Sequence, residues 1–345
     1  MCCCNDSVTA MRDCVPKVVW ELLMLACVLA SCGGEPKKTT LPRSKGMPCE
    51  LLVITDKAVG ESDLMDSVNA MTQACVPEIM QPEPMFKVVR VSEQNYTRRY
   101  VTMHTKLRVH LDHRLERPMM GVSHDDYAVP QTEVTVAAAD IDDLRQFLAR
   151  HKQDVTDALL DGQLQMMADD LRRQHDDRVY KVAAEHMGFS ICVPKCVCAV
   201  KRGRGFLWAG SNLQERDQNL VLYEYPWDGS ALDDMSKFVA KRDSVMKANI
   251  PGDKPGQWMH TSQIDGMPVV INRTRRLQGR DCEVVRGMWD VTGAPMGGPF
   301  VSIATIDSVQ RVVRVAEGFV YSPSTEKRDL LRQLEASLLT IKRQR

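Results

Sequence analysis

Three cysteines lie close together at Cys192, Cys196 and Cys198. Thiolates at such a spacing can hold a soft metal, close a disulfide, or pack as small hydrophobes. The C-x3-C-x-C pattern fits no common zinc motif, and no second Cys or His pair lies nearby in the sequence. All three numbers are even, so on a strand the thiols share one face, which favours packing. His110 and His113 are spaced so that a strand would point them to opposite faces, which argues against joint ligation. Arg242 and Asp243 stand side by side in "AKRDSVM", a pairing that is usually a surface or structural ion pair. The stretch "RGMWDVTGAPMGGPFVS" (286–302) is less ordinary. Trp289 leads into Met296, Gly297, Gly298, Pro299 and Phe300, and paired glycines permit backbone shapes that side chains forbid. It reads as a turn where a ligand approaches the backbone, or as an elaborate hairpin connection. Neither G-x-S-x-G, H-E-x-x-H, a P-loop nor G-x-G-x-x-G occurs in a useful context. No catalytic residue, metal or cofactor is assigned from these residues.

The elements that must position these groups begin after an address label. The chain has 345 residues, with 45 basic against 45 acidic side chains and 44% apolar residues. A neutral balance gives no electrostatic case for nucleic acid. Arg12 and Lys17 precede the apolar run "VVWELLMLACVLAS" (18–31), the layout of a secretory signal, with Met1 or Met11 as the start. The run is shorter than the roughly 20 apolar residues a spanning helix needs. "LASC" (29–32) resembles the lipobox of bacterial lipoproteins, which implies cleavage between Ser31 and Cys32 and acyl chains on Cys32. Gly33, where lipoproteins held in the inner membrane carry Asp, favours the outer membrane by the same resemblance. The lack of an acidic cluster favours its periplasmic side. "GGEPKKTTLPRSKG" (33–46) has no helical or strand period and reads as a flexible tether.

The body divides by its patterns. Residues 47–139 read as a small α/β unit, with strands at "ELLVIT", "MFKVVRVS", "KLRVHLD" and "TEVTVAAA" and one early helix. Residues 140–188 read as a helical connector, capped by Asp140 and interrupted at Gly162 and at "QHDDR" (174–178). Residues 189–345 read as an antiparallel domain: three strands, a helix at 231–250, two hairpins, and a terminal helix that Ser324 would cap. The fold class is therefore α+β, with a C-terminal α/β sandwich. Its element order resembles the fold shared by Mog1 and the photosystem II extrinsic proteins.

"FVAKRDSVMKANIPG", "RGMWDVTGAPMGGPFVS", "VVRVAEGFVYSP" and "KRDLLRQLEASL" resemble the domain of unknown function 4837 family of bacterial lipoproteins. "ELLVITD", "MQPEPMFKVVRV" and the lipobox fit it too, whereas "VPKCVCAV" departs from it. The resemblance implies a lipid-anchored envelope protein and brings no reaction. The expectation is a non-enzymatic module in the periplasm, tied to the bilayer through lipidated Cys32. Its partner would be an envelope protein, a glycan or a small ligand, contacted near Arg242, Asp243 and the turn from Trp289 to Phe300. The alternative is a periplasmic hydrolase with a polar site between the two halves, near Arg242, Asp243 and the 293–299 turn.

Overall fold

The computed structural model describes residues 40–277 and 279–343. The expected leader, the Ser31–Cys32 junction and most of the tether lie outside the described residues. Pro42–Arg345 forms one compact unit. No helix among the described residues is long and apolar enough to cross a membrane.

The chain first builds β1 (Glu50–Thr55), the short α1 (Lys57–Gly60), α2 (Leu64–Thr72), β2 (Lys87–Ser92), α3 (Arg98–Val101), β3 (Thr105–Leu111), β4 (Met119–His124) and β5 (Thr132–Ala138). These strands pair in the order β2-β1-β3-β5-β4, all parallel except β4 against β5. "ELLVIT" is a continuous apolar run because both faces of β1 are covered. Leu51 and Val53 pack with Leu64 and Val68 of α2. Leu52 and Ile54 face Val91, Tyr96 and Tyr100 on the other side. Strand β4 was not anticipated, because "MMGVSH" is a weak and partly exposed run. The end of the expected tether runs beside this sheet, with bridges from Arg43 to Val129 and from Lys45 to Met103.

Helix α4 (Ile141–Arg173) follows, and the Asp140 side chain accepts the Asp143 N–H at 2.9 Å. Gly162 was expected to interrupt it, but the helix runs straight through. A Cβ at Gly162 would come within 2.6 Å of the Thr132 side chain, so this glycine serves the close approach of α4 to β5. The real break is at 174–176, where Asp176 caps α5 (Asp177–Met187) and Gly188 ends it in the left-handed region.

The second sheet contains β7 (Ala199–Gly203), β8 (Phe206–Gly210), β9 (Asp217–Pro226), β10 (Met259–Thr261), β13 (Val270–Leu277), β14 (Arg280–Val291), β15 (Ala294–Asp307) and β16 (Val312–Tyr321). Short β6 (Phe189–Ser190) pairs with β17 (Lys342–Arg343), and β11 (Gln263–Ile264) with β12 (Met267–Pro268). The order is β10-β14-β15-β16-β9-β8-β7, with β13 also on β14. Every pairing in it is antiparallel, and with the parallel first sheet and the helices the fold is α+β. Alternation along each strand divides its core in two. Leu207, Leu220, Leu222, Val301, Ile303 and Val320 pack with α5 and with α7 (Arg328–Leu338). Phe206, Val221, Tyr223, Phe300, Val315 and Phe319 pack with α6 (Met235–Asn249).

Helix α7 is buried nearly all round, wedged between the second sheet and α4. Ser324 does not cap it. Glu83, from the loop before β2, does so: its two carboxylate oxygens accept the Lys327 and Arg328 N–H groups, each at 2.8 Å. A carboxylate on the free N–H groups of a helix start is favoured by both hydrogen bonding and the helix dipole. Nothing local in the sequence could reveal a cap placed so far upstream.

Two further expectations change. Residues 191–198 are not a strand: Pro194 lacks the N–H a ladder needs, and Cys192 is buried while Cys196 and Cys198 are exposed. The three thiols therefore share no face, and all six described cysteines are free. His110 lies in β3, but His113 lies beyond its end and bonds the Ala139 carbonyl.

Candidate functional site

The residues singled out from sequence separate into two places. Arg242, Asp243 and Phe300 converge at a buried node under α6. Trp289 and Met296 line an open groove. Gly297, Gly298 and Pro299 connect the two along β15.

The node is built around the Arg242 guanidinium, which is 0% exposed. It donates to both oxygens of Glu317, with Nη2 to Oε1 at 2.7 Å and Nε to Oε2 at 2.9 Å. Nη1 donates to Thr261 Oγ1 at 3.1 Å and to Asp243 Oδ1 at 3.3 Å. Ser302 Oγ donates to Glu317 Oε2 at 2.6 Å, and Asp243 Oδ1 accepts the Thr261 N–H at 2.8 Å. The guanidinium lies 4.0 Å from the Phe300 ring centroid. Burial works against the Arg242 charge, but Glu317 outweighs it and raises its pKa. Burial first, then Glu317, pushes the Tyr223 phenol well above its ordinary value, so it stays protonated. A pair this enclosed has no path to a substrate. The node clamps α6 to β10 and β16 of the sheet.

Gly297 and Gly298 do not form the turn. The chain reverses at Thr292-Gly293, where Gly293 has φ +70°. Gly297 and Gly298 lie inside β15, opposite Asp290 and Trp289. What they supply is room. A Cβ at Gly298 would sit 2.1 Å from the Val320 carbonyl oxygen and 3.3 Å from Trp289 Nε1. The indole is thus pressed onto bare backbone, and its N–H has no partner among the described residues.

The groove has a volume of about 360 Å³ and lies where α6 ends at Asn249, over β8, β9, β14 and β16. Trp208, Met259, Trp289, Val291, Met296, Phe319 and Tyr321 form its walls, with Ile250 and Pro251 closing one side. Trp289 meets Phe319 edge-to-face at 5.6 Å and Tyr321 at 6.4 Å, a mutually supported aromatic wall. Most polar groups at its rim are bonded within the protein, while the Asp253 carboxylate and the Tyr321 hydroxyl have no partner among the described residues. Trp208 Nε1 donates to Asn219 Oδ1 at 2.9 Å, and Asn219 Nδ2 to Asp217 Oδ2 at 2.8 Å. Lys201 Nζ donates to the Asn249 carbonyl at 2.7 Å, and Gln257 Nε2 to the Gly293 carbonyl at 2.9 Å. Such a surface recognises apolar bulk rather than a pattern of hydrogen bonds.

Sequence reasoning missed Trp208, Met259, Phe319 and Tyr321. "GFLWAGS" and "FVYSP" carried three of these as strand residues, and alternation could have put each on a face. It could not have said that the faces meet at the end of α6.

The seam between the two halves is lined by other residues, because Arg242 and Asp243 belong to α6, which covers the other face of the second sheet. A cavity of about 420 Å³ there is bordered by Arg273, Arg275, Arg286 and Arg332. Each of these cations faces a carboxylate: Arg273 pairs with Asp157, Arg275 with Asp161, Arg286 with Glu78 and Glu335, and Arg332 with Glu335. The charges fasten β13, β14 and α7 to α4 and to the loop before β2. Among the described residues no group of three or more His, Cys, Asp or Glu could hold a metal ion.

A family described as a domain of unknown function (DUF4837) matches residues 176–340. A second, also described as a domain of unknown function (DUF8532), matches residues 44–172. No curated protein matches the chain.

Proposed function

We propose that this chain, which belongs through residues 176–340 to the domain of unknown function 4837 family, is a non-enzymatic binding module that takes an apolar group into the aromatic groove. The observation that carries the reading is the groove itself: an aromatic and methionine wall whose rim groups Trp208, Asn219, Lys201 and Gln257 are already hydrogen-bonded within the protein. Methionine side chains adapt to irregular apolar shapes, and rigid rings provide contact area at low entropic cost. An apolar portion of an envelope protein or small ligand suits this surface better than a glycan, whose hydroxyls would find few free partners. A hydrolase reading has less to rest on, since the charged groups at the seam and at the node are held in ion pairs.

The neutral fluorophore N-phenyl-1-naphthylamine tests this reading. The full chain should bind it saturably, with quenching of tryptophan emission. Met296→Lys should weaken binding by roughly 10-fold or more, because the substitution puts a charge on the apolar wall. Absence of saturable binding, or equal binding by a Met296→Lys variant that melts like the wild type, would sink the assignment.

We place this module in the cell envelope, facing the periplasm from the outer membrane and held by acyl chains on Cys32. "LASC" after an apolar run and the Gly- and Lys-rich stretch that follows support this reading. More than one chain is needed for lasting attachment. Intact mass of the membrane-fraction protein should show diacyl or triacyl addition at Cys32, and Cys32→Ala should release a soluble form. An unacylated wild-type protein would refute the anchor while leaving the groove untouched.

A further inference from the structure

The first sheet carries a cavity that the groove does not use. It has a volume of about 410 Å³ and opens at the carboxyl ends of β1 and β2, beside α1. The strand order reverses at β1: the chain passes from β1 to β2 on one side, then returns past β1 to β3 on the other. Open parallel sheets bind ligands beyond the carboxyl ends of their strands near such a reversal. The crevice between β1 and β3 is closed here, because Asp56 Oδ2 accepts the Leu111 N–H at 2.7 Å and Oδ1 accepts the Val59 N–H at 2.8 Å. The open space lies instead over β1 and β2.

The side chains lining that space have a consistent chemistry. Thr55 and Ser92 are register partners across the parallel ladder, so their hydroxyls stand next to each other on one face. Arg90, in register with Val53, is on the same face two residues earlier in β2. Thr55 is only 7% exposed, yet its hydroxyl makes no hydrogen bond among the described residues. It faces Gly60, where a Cβ would lie 3.0 Å from Thr55 Oγ1, so the absence of a side chain at Gly60 keeps the hydroxyl open to the cavity. Ser92 makes no side-chain capping bond to the turn it precedes. Arg90 has no ion-pair partner among the described residues, whereas Lys57 is offset by Glu61 at 4.0 Å. Both oxygens of the Asp56 carboxylate are engaged by backbone N–H groups.

We propose that this cavity is a second ligand site, binding a phosphate group between the Arg90 guanidinium and the paired hydroxyls of Thr55 and Ser92. Arginine and two hydroxyl donors supply the charge-assisted bonds that a tetrahedral oxyanion accepts. The phosphate can belong to a small phosphomonoester or to a lipid headgroup. Val53 and Met65 give the floor an apolar surface for the group that carries it. The site stands apart from the aromatic groove and does not depend on the groove having a ligand.

Calorimetric titration of the full chain with inorganic phosphate and with glycerol 3-phosphate tests the site. Saturable binding is expected, weakened about 10-fold or more by Arg90→Gln and reduced by Thr55→Val, which keeps the side-chain shape. Flotation with vesicles containing phosphatidate distinguishes the sources: binding to vesicles but not to glycerol 3-phosphate assigns the lipid headgroup, and the reverse assigns the soluble ester. Thermal melts of both variants should match the wild type, since neither side chain holds another element. If neither phosphate source binds, or if folded Arg90→Gln and Thr55→Val variants bind as the wild type does, the site is overturned.

Discussion

Replacing Arg242 with methionine should destabilise the protein by about 3–5 kcal/mol in urea unfolding, because it strands the Glu317 carboxylate in a fully enclosed position. Glu317 would keep only Ser302 as a donor, with Tyr223 and Phe300 around it. The cost arises from the charge left behind, not from an intrinsically strong pair. Removing both charges with Arg242→Met and Glu317→Leu together should therefore recover much of the loss. N-phenyl-1-naphthylamine affinity of the folded Arg242→Met variant should remain near the wild-type value, since the groove wall does not contain Arg242. A single variant as stable as the wild type would show that the node does not clamp α6. A double variant no better than the single would show that packing, rather than stranded charge, sets the cost.

The second large effect lies at the seam and depends on pH. Burial alone would push the Glu335 carboxyl up. Arg286 and Arg332 overcome this and hold it down at about 2, against an ordinary value of 4.5. A carboxyl whose pKa is lower in the folded state stabilises the fold above its unfolded value, and the stabilisation is lost as pH falls toward the folded value. The window therefore runs from about pH 5 down to about pH 2. A shift of that size corresponds to something on the order of 3 kcal/mol. Glu335→Gln keeps the shape and removes the titration. Its stability gap to the wild type should be largest near neutrality and should shrink by on the order of 3 kcal/mol by about pH 2. Urea titrations across that range measure the gap directly. A gap independent of pH would show that Glu335 is not the titrating clasp.

Much of the architecture was readable because local physics determines it. The buried run "ELLVIT" is a strand covered on both faces, and the leucines of "KRDLLRQLEASL" mark a helix. Asp140 capped its helix as its type and place suggested. Gly162 misled because a glycine that ends a helix and one that lets a helix touch a strand look alike without the partner. Gly297 and Gly298 misled in the same way. Of the stretch expected to turn over 293–299, only its first residue, Gly293, takes part in the reversal, while the pair makes space for Trp289 and the Val320 carbonyl. Ser324 looked like a cap because the real cap, Glu83, is supplied from the other half of the chain.

Residue type and period by themselves determined the α+β class, the strands with their alternating faces, and the helix that carries Arg242 and Asp243. Those properties depend on neighbours within a few positions. Only the tertiary structure decided that Arg242 is enclosed against Glu317 while Trp289 opens onto a groove with Trp208, Phe319 and Tyr321. It also decided that Thr55 and Ser92 stand side by side at the end of a parallel ladder. Burial, charge compensation and cavity shape depend on which distant segments meet, and a one-dimensional pattern does not carry that information.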